Sequence, residues 1–158
     1  MIEIDMRIIF AEYGLSVLLC LIVIVSLWWQ NRKRAPEIIL WLIDYILQFA
    51  GIMLIALRGI LPDFMTIVVA NLFIVGGTVI LYEGLCRYVG QESRQKHNYV
   101  MLAIFTSVHI FFTYIAPHMG LRTINFSVAL FYICIQGAWL MLYRVASPLR
   151  QATKITGI

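Results

Sequence analysis

The sequence predicts an all-α protein: an integral membrane bundle of five spanning helices, N-terminus outside and C-terminus in the cytoplasm. Three observations predict it. First, 62% of the 158 residues are hydrophobic and only 13% are charged, where a soluble domain carries about 25% charged residues. Second, the apolar residues gather in five runs, each close to the roughly 20 residues that a helix needs to cross a bilayer. Third, the basic residues between those runs fall mostly on one side. Arg32, Lys33, Arg34, Arg87, Arg94, Lys96, Arg144, Arg150 and Lys154 stand against Arg7, Arg58 and Arg122 on the other. Short loops rich in Lys and Arg stay in the cytoplasm, and this sets the orientation.

The first span is expected over about 7–30. Glu3 and Asp5 precede it where a cleavable leader would be basic, and no small-residue cleavage site follows Trp28-Trp29. It reads as a retained helix or signal anchor. Asn31-Arg32-Lys33-Arg34 is a basic stop. The second span is expected over 37–58, with Pro36 in the first turn and Glu37 at the positive end of the helix dipole. Gly59-Ile60-Leu61-Pro62-Asp63 reads as a tight turn, with Asp63 placed to cap the third span, 63–87. The longest polar stretch, 90–97, leads to the fourth span, 98–116. Pro117-His118-Met119-Gly120 is a second short turn before the fifth span, 121–143. Trp28, Trp29, Trp41 and Trp139, with Tyr88, Tyr99 and Tyr143, all fall near the expected cytoplasmic ends, where aromatic belts sit at headgroup level. These five spans make one transmembrane domain over 1–146. Residues 147–158 read as a cytoplasmic tail or the start of a sixth helix, since Ile155-Thr156-Gly157-Ile158 turns apolar again after Ser147-Pro148.

A polar group in hydrocarbon is costly, so each one inside a span is a functional candidate. Asp44 lies seven residues beyond Glu37, roughly 10 Å into the membrane at 1.5 Å per residue. Glu83 lies nearer the cytoplasmic end with Arg87 four residues on, spaced for an ion pair along the helix. His109 stands near mid-depth in the fourth span with Thr113 one turn on; a structural hydrogen bond is the expectation for its ring, and a pH-sensing role the alternative. Asn71, Thr78 and Tyr82 share roughly one face of the third span, and Gly77 and Gly84 an adjoining one. Small residues on a membrane helix mark close helix–helix packing. At the outer ends, Arg58, Asp63, Arg122 and Asn125 fall at similar depth. Arg58 and Asp63 flank one turn and are spaced to pair. If the helices also bring Arg58, Arg122 and Asn125 close, with Asn71 below, they make a polar pocket open to the outside. Two arginines suit a small anionic ligand.

Other chemistries find no footing. Cys20, Cys86 and Cys134 form no CxxC or Cys/His cluster, so no metal site or disulfide framework is expected, and they read as small hydrophobes. His97 and His118 lie at opposite edges from each other and away from His109, which argues against a bis-histidine haem. No lysine is buried in a span for a retinal Schiff base. P-loop, GxSxG and HExxH motifs are missing. No cofactor, no enzymatic activity and no nucleic-acid partner is expected. The +4 net charge is accounted for by the topology signals at helix ends, and the expected partner is the lipid bilayer.

The stretch from Trp41 to Gly90 carries GIMLIALRGILPD (51–63), VVANLF (68–73) and YEGLCRYVGQ (82–91). In these segments the chain resembles the multi-helix membrane input module found ahead of GGDEF diguanylate cyclase domains in bacteria. The resemblance implies a sensor in the bacterial inner membrane. It would act as a homodimer and pass a signal to a cytoplasmic output domain that makes cyclic di-GMP. No GGDEF sequence and no kinase histidine box occurs in these 158 residues, so any such activity would lie in a domain absent from this chain. The alternatives are a small transporter or channel that uses Asp44, Glu83 and His109, or a structural subunit of a membrane complex.

Overall fold

The computed structural model describes residues 6–33, 35–91 and 95–143. It is all-helical among them. Helix α1 is Met6–Asn31, α2 is Ile38–Ala56, α3 is Ala70–Tyr88 preceded without a break by a π-helical opening over Phe64–Val69, α4 is Lys96–Ile110 followed by a π-helical end over Phe111–Ile115, and α5 is Met119–Tyr143. All five are long and apolar enough to cross a membrane, which marks a multi-pass membrane protein. The helix ends fall within two residues of those read from the apolar runs. The expected tail over 147–158 lies outside the described residues.

The surface has the character that lipid solvates. Leu15, Leu19, Ile22 and Val23 on α1, and Ile124, Val128, Phe131 and Ile135 on α5, all point outward. A soluble monomer rarely exposes apolar patches of that extent. Helix α3 is the most buried and α1 the least. α1 packs on α2, α2 on α3, and α3 on both α4 and α5, which also pair with each other. The α3–α4–α5 core is Val75, Val79, Phe105, Ala129 and Ile133, with Tyr82, Leu102 and Phe126 against it.

The α2–α3 seam is set by small residues. A methyl group added at Gly77 would stand 2.7 Å from Asp44 Oδ1, and one at Gly84 would stand 2.6 Å from the Trp41 ring. Neither helix could approach so closely with a side chain there. Ala70, fully buried, continues the same seven-residue stripe and meets Gly51 of α2. Dispersion contacts between closely placed backbones drive such membrane packing.

One cap differs from expectation. Asp63 is itself helical and makes no side-chain cap; instead Pro62 begins the turn, and its carbonyl accepts from the Met65 and Thr66 amides at 2.9 and 3.2 Å. Proline needs no amide partner there, so the position requires no side-chain acceptor to start the helix. At the far end of α3, Gly90 adopts φ +75°. The Gln91 amide then donates to Cys86 O and the Gly90 amide to Arg87 O, both at 2.9 Å: a Schellman closure. Of the cysteines only Cys86 is buried; Cys20 and Cys134 lie on outward faces.

Candidate functional site

Four helices converge on a cavity of about 160 Å³ at the end of the bundle that carries the α2–α3 and α4–α5 turns. Ile55 and Arg58 come from the end of α2 and the turn after it, where Gly59 at φ +90° reverses the chain. Thr66 and Ile67 come from the π-helical opening of α3, and Asn71 follows one turn later. His109 comes from α4, immediately before its π-helical end. Met119, Arg122, Thr123 and Phe126 line it from α5 at a spacing that defines one helix face. A π-helical turn holds an extra residue and shifts the faces beyond it, and such turns recur at functional sites. Here two of them flank one cavity.

The polar groups of this cavity are poorly matched among themselves. His109 is 3% exposed, yet neither ring nitrogen has a hydrogen-bond partner among the described residues. Its ring packs on Phe105 with centroids 5.3 Å apart, and Thr113 Oγ1 donates to its backbone carbonyl, not its ring. The structural hydrogen bond expected of the ring is therefore not made. A neutral imidazole offers one donor and one acceptor, and leaving a buried polar group unpaired costs about 1–3 kcal/mol. Asn71 Nδ2 donates to Ile67 O at 2.6 Å, which leaves its amide oxygen as an acceptor. Neither Arg58 nor Arg122 has an ion-pair partner among the described residues. The expected pairing of Arg58 with Asp63 does not form; the ion pair that does, Arg87–Glu83 at 2.6 Å, is at the opposite end. The Arg58–Asp63 turn closes through backbone bonds instead, Ile60 and Leu61 amides to Leu57 O, and both side chains are left exposed.

Of the four residues expected at an outer pocket, the structure brings Arg58, Asn71 and Arg122 to this cavity. Asn125 is elsewhere: its Nδ2 donates across to Phe105 O at 3.1 Å and ties α5 to α4. His109, placed by sequence with Asp44 and Glu83 as an intramembrane polar group, joins the arginines instead. Asp44 is 1% exposed, sits against Gly77, and accepts from Gln48 Nε2 at 3.2 Å. Glu83 is held by Arg87, whose side chain is 58% exposed. None of the three bonds to another.

The sequence reading missed a second polar cluster at the opposite end. Asn98, fully buried, donates to Gln95 Oε1 at 2.7 Å and accepts from Gln136 Nε2 at 2.9 Å. Gln136 Oε1 lies 2.9 Å from His97 Nε2. The cluster clamps the start of α4 to α5. Its signal was available: Gln136 is an amide seven residues inside an apolar helix. Around it lie the aromatic contacts of that end, Trp41 with Tyr88, Trp139 with Tyr143, and Arg32 over the Trp29 ring at 4.8 Å. Among the described residues no three His, Cys, Asp or Glu side chains gather to hold a metal ion.

Comparison with protein families, with curated proteins and with solved structures finds no match to this chain.

Proposed function

We propose that this chain is the sensory input module of a bacterial inner-membrane signalling protein, and that its signal is a small anion bound at the Arg58–Arg122 cavity. The observation that carries the reading is the cavity itself: two arginines without carboxylate partners and a buried, unpartnered histidine at the meeting point of four helices. An unpaired buried polar group calls for an explanation, and a bound ligand supplies one for His109. The asymmetry of basic residues supports a cavity end that faces outside and a tryptophan-rich end in the cytoplasm. The resemblance to diguanylate cyclase input modules supports the same direction of signalling, from an outer site through α5 to a cytoplasmic output.

The mechanism is a population shift. An anion that binds one helix packing more tightly than another favours the first by that difference in affinity. Arg122 and the Asn98–Gln136 clamp lie toward opposite ends of α5, so a shift of α5 at the cavity reaches the clamp directly. All four tryptophans lie at the far end, which makes them reporters. In nanodisc-embedded protein labelled with 5-fluorotryptophan, a saturating small carboxylate anion, L-lactate, is expected to shift the Trp41 or Trp139 fluorine resonance, and the shift is expected to vanish in Arg122→Gln. Binding without any change in the four resonances would sink the sensor reading.

A further inference from the structure

We infer that the ligand of this cavity is a short hydroxy- or oxo-carboxylate, with its carboxylate on Arg58 and Arg122 and its second oxygen on His109. The inference rests on the anion-binding reading above and adds the chemistry of the other end of the ligand. Size comes first. A cavity of about 160 Å³ is close to the roughly 150 Å³ that holds a benzene ring, a body of about six non-hydrogen atoms.

Charge comes next. A guanidinium presents a fork of donors matched to a planar carboxylate, and Arg58 and Arg122 reach the cavity from the α2–α3 turn and from α5. Histidine then sets the rest. Arg58 is exposed at the rim, whereas His109 and Thr66 are buried at 3% and 2%. The cavity is therefore cationic at its mouth and has buried hydrogen-bonding groups behind it. A purely apolar tail would leave the imidazole donor and acceptor unpaired in hydrocarbon-like surroundings. A hydroxyl offers both a donor and an acceptor, and an oxo group offers an acceptor. Ile55, Ile67 and Phe126 supply apolar walls for a short carbon chain between the two ends.

The test compares L-lactate with isobutyrate. The two share charge and shape and differ in a methyl group for a hydroxyl. Binding is measured by equilibrium dialysis of the radiolabelled acids against the full chain in phosphatidylcholine nanodiscs. Lactate is expected to bind roughly 5- to 150-fold more tightly, the usual range for leaving a buried polar group unpaired. His109→Phe is expected to bring the two acids within about threefold while isobutyrate still binds, which shows the variant is folded. His109→Gln, which keeps a donor and an acceptor, is expected to restore part of the preference. Equal binding of both acids to the wild type and to His109→Phe would overturn the ligand class and leave the anion site standing. No binding of either acid to the wild type would overturn both readings. Loss of lactate binding on replacing part of the phosphatidylcholine with phosphatidylglycerol would assign the arginines to a lipid headgroup and overturn the proposal.

Discussion

Replacing Gly77 with alanine tests whether the α2–α3 seam is as close as it is drawn. The new methyl would stand 2.7 Å from Asp44 Oδ1, 3.3 Å from Asp44 O and 3.4 Å from Leu47 Cβ. Non-bonded heavy atoms rest at about 3.5–4.0 Å, so the overlap with the carboxylate is about 1 Å. Asp44 is short, buried and bonded to Gln48, and its carbonyl is fixed in the helix, so the helices must part. Overpacking of this kind costs about 1–3 kcal/mol. Alanine also gains helix preference over glycine, by up to about 1 kcal/mol. The adjacent residue removes that ambiguity. Nothing lies within 4 Å of a methyl placed at Gly76, so Gly76→Ala carries the same helix term without the overlap. Gly77→Ala is therefore expected to be less stable than Gly76→Ala by about 1–3 kcal/mol. The assay is reversible unfolding in mixed micelles titrated with SDS, followed by circular dichroism. Equal stability of the two variants, or a more stable Gly77→Ala, would refute the close seam.

Two further perturbations address the polar groups. A double-mutant cycle with Asn98→Leu and Gln136→Leu is expected to give a coupling of about 0.6–1.7 kcal/mol, the average and maximum for hydrogen bonds between membrane helices; a coupling of zero would show that the amide clamp between α4 and α5 is not formed. Asp44→Asn keeps an acceptor for Gln48 and removes a buried carboxyl group that is costly to ionise, so its unfolding free energy is expected to stay equal or rise, and a fall of more than about 1 kcal/mol would mean that the carboxyl group has an interaction beyond Gln48.

The helices were legible because apolar runs of spanning length admit little else, and their ends followed from Pro36, Pro62 and Gly90. The cavity was legible in part, and the reason is geometric. Counting residues from a helix end gives depth, and depth placed Arg58, Asn71 and Arg122 at one level. It does not give the direction a residue faces, so Asn125 was grouped with them although it turns toward Phe105. His109 was grouped with Asp44 and Glu83 instead of the arginines for the same reason, and it lies beside the π-helical turns at Phe64–Val69 and Phe111–Ile115. Those turns depart from the 3.6-residue period, and no simple pattern of apolar residues announces them. The Asn98–Gln136 clamp carries no charge to mark it, although a buried amide in a membrane helix also demands a partner.

The proposed function requires the Arg58–Arg122 cavity to bind an anion and to open to the outside of a membrane bundle. Thr123, exposed at its rim on α5, gives a direct handle on both halves of that statement. In a chain whose Cys20, Cys86 and Cys134 are replaced by serine or alanine, Thr123→Cys is labelled in intact cells with a membrane-impermeant maleimide, with and without L-lactate. The expected result is labelling from outside that lactate slows several-fold. Labelling only after the membrane is opened would contradict the orientation, and labelling that lactate leaves unchanged would contradict the site.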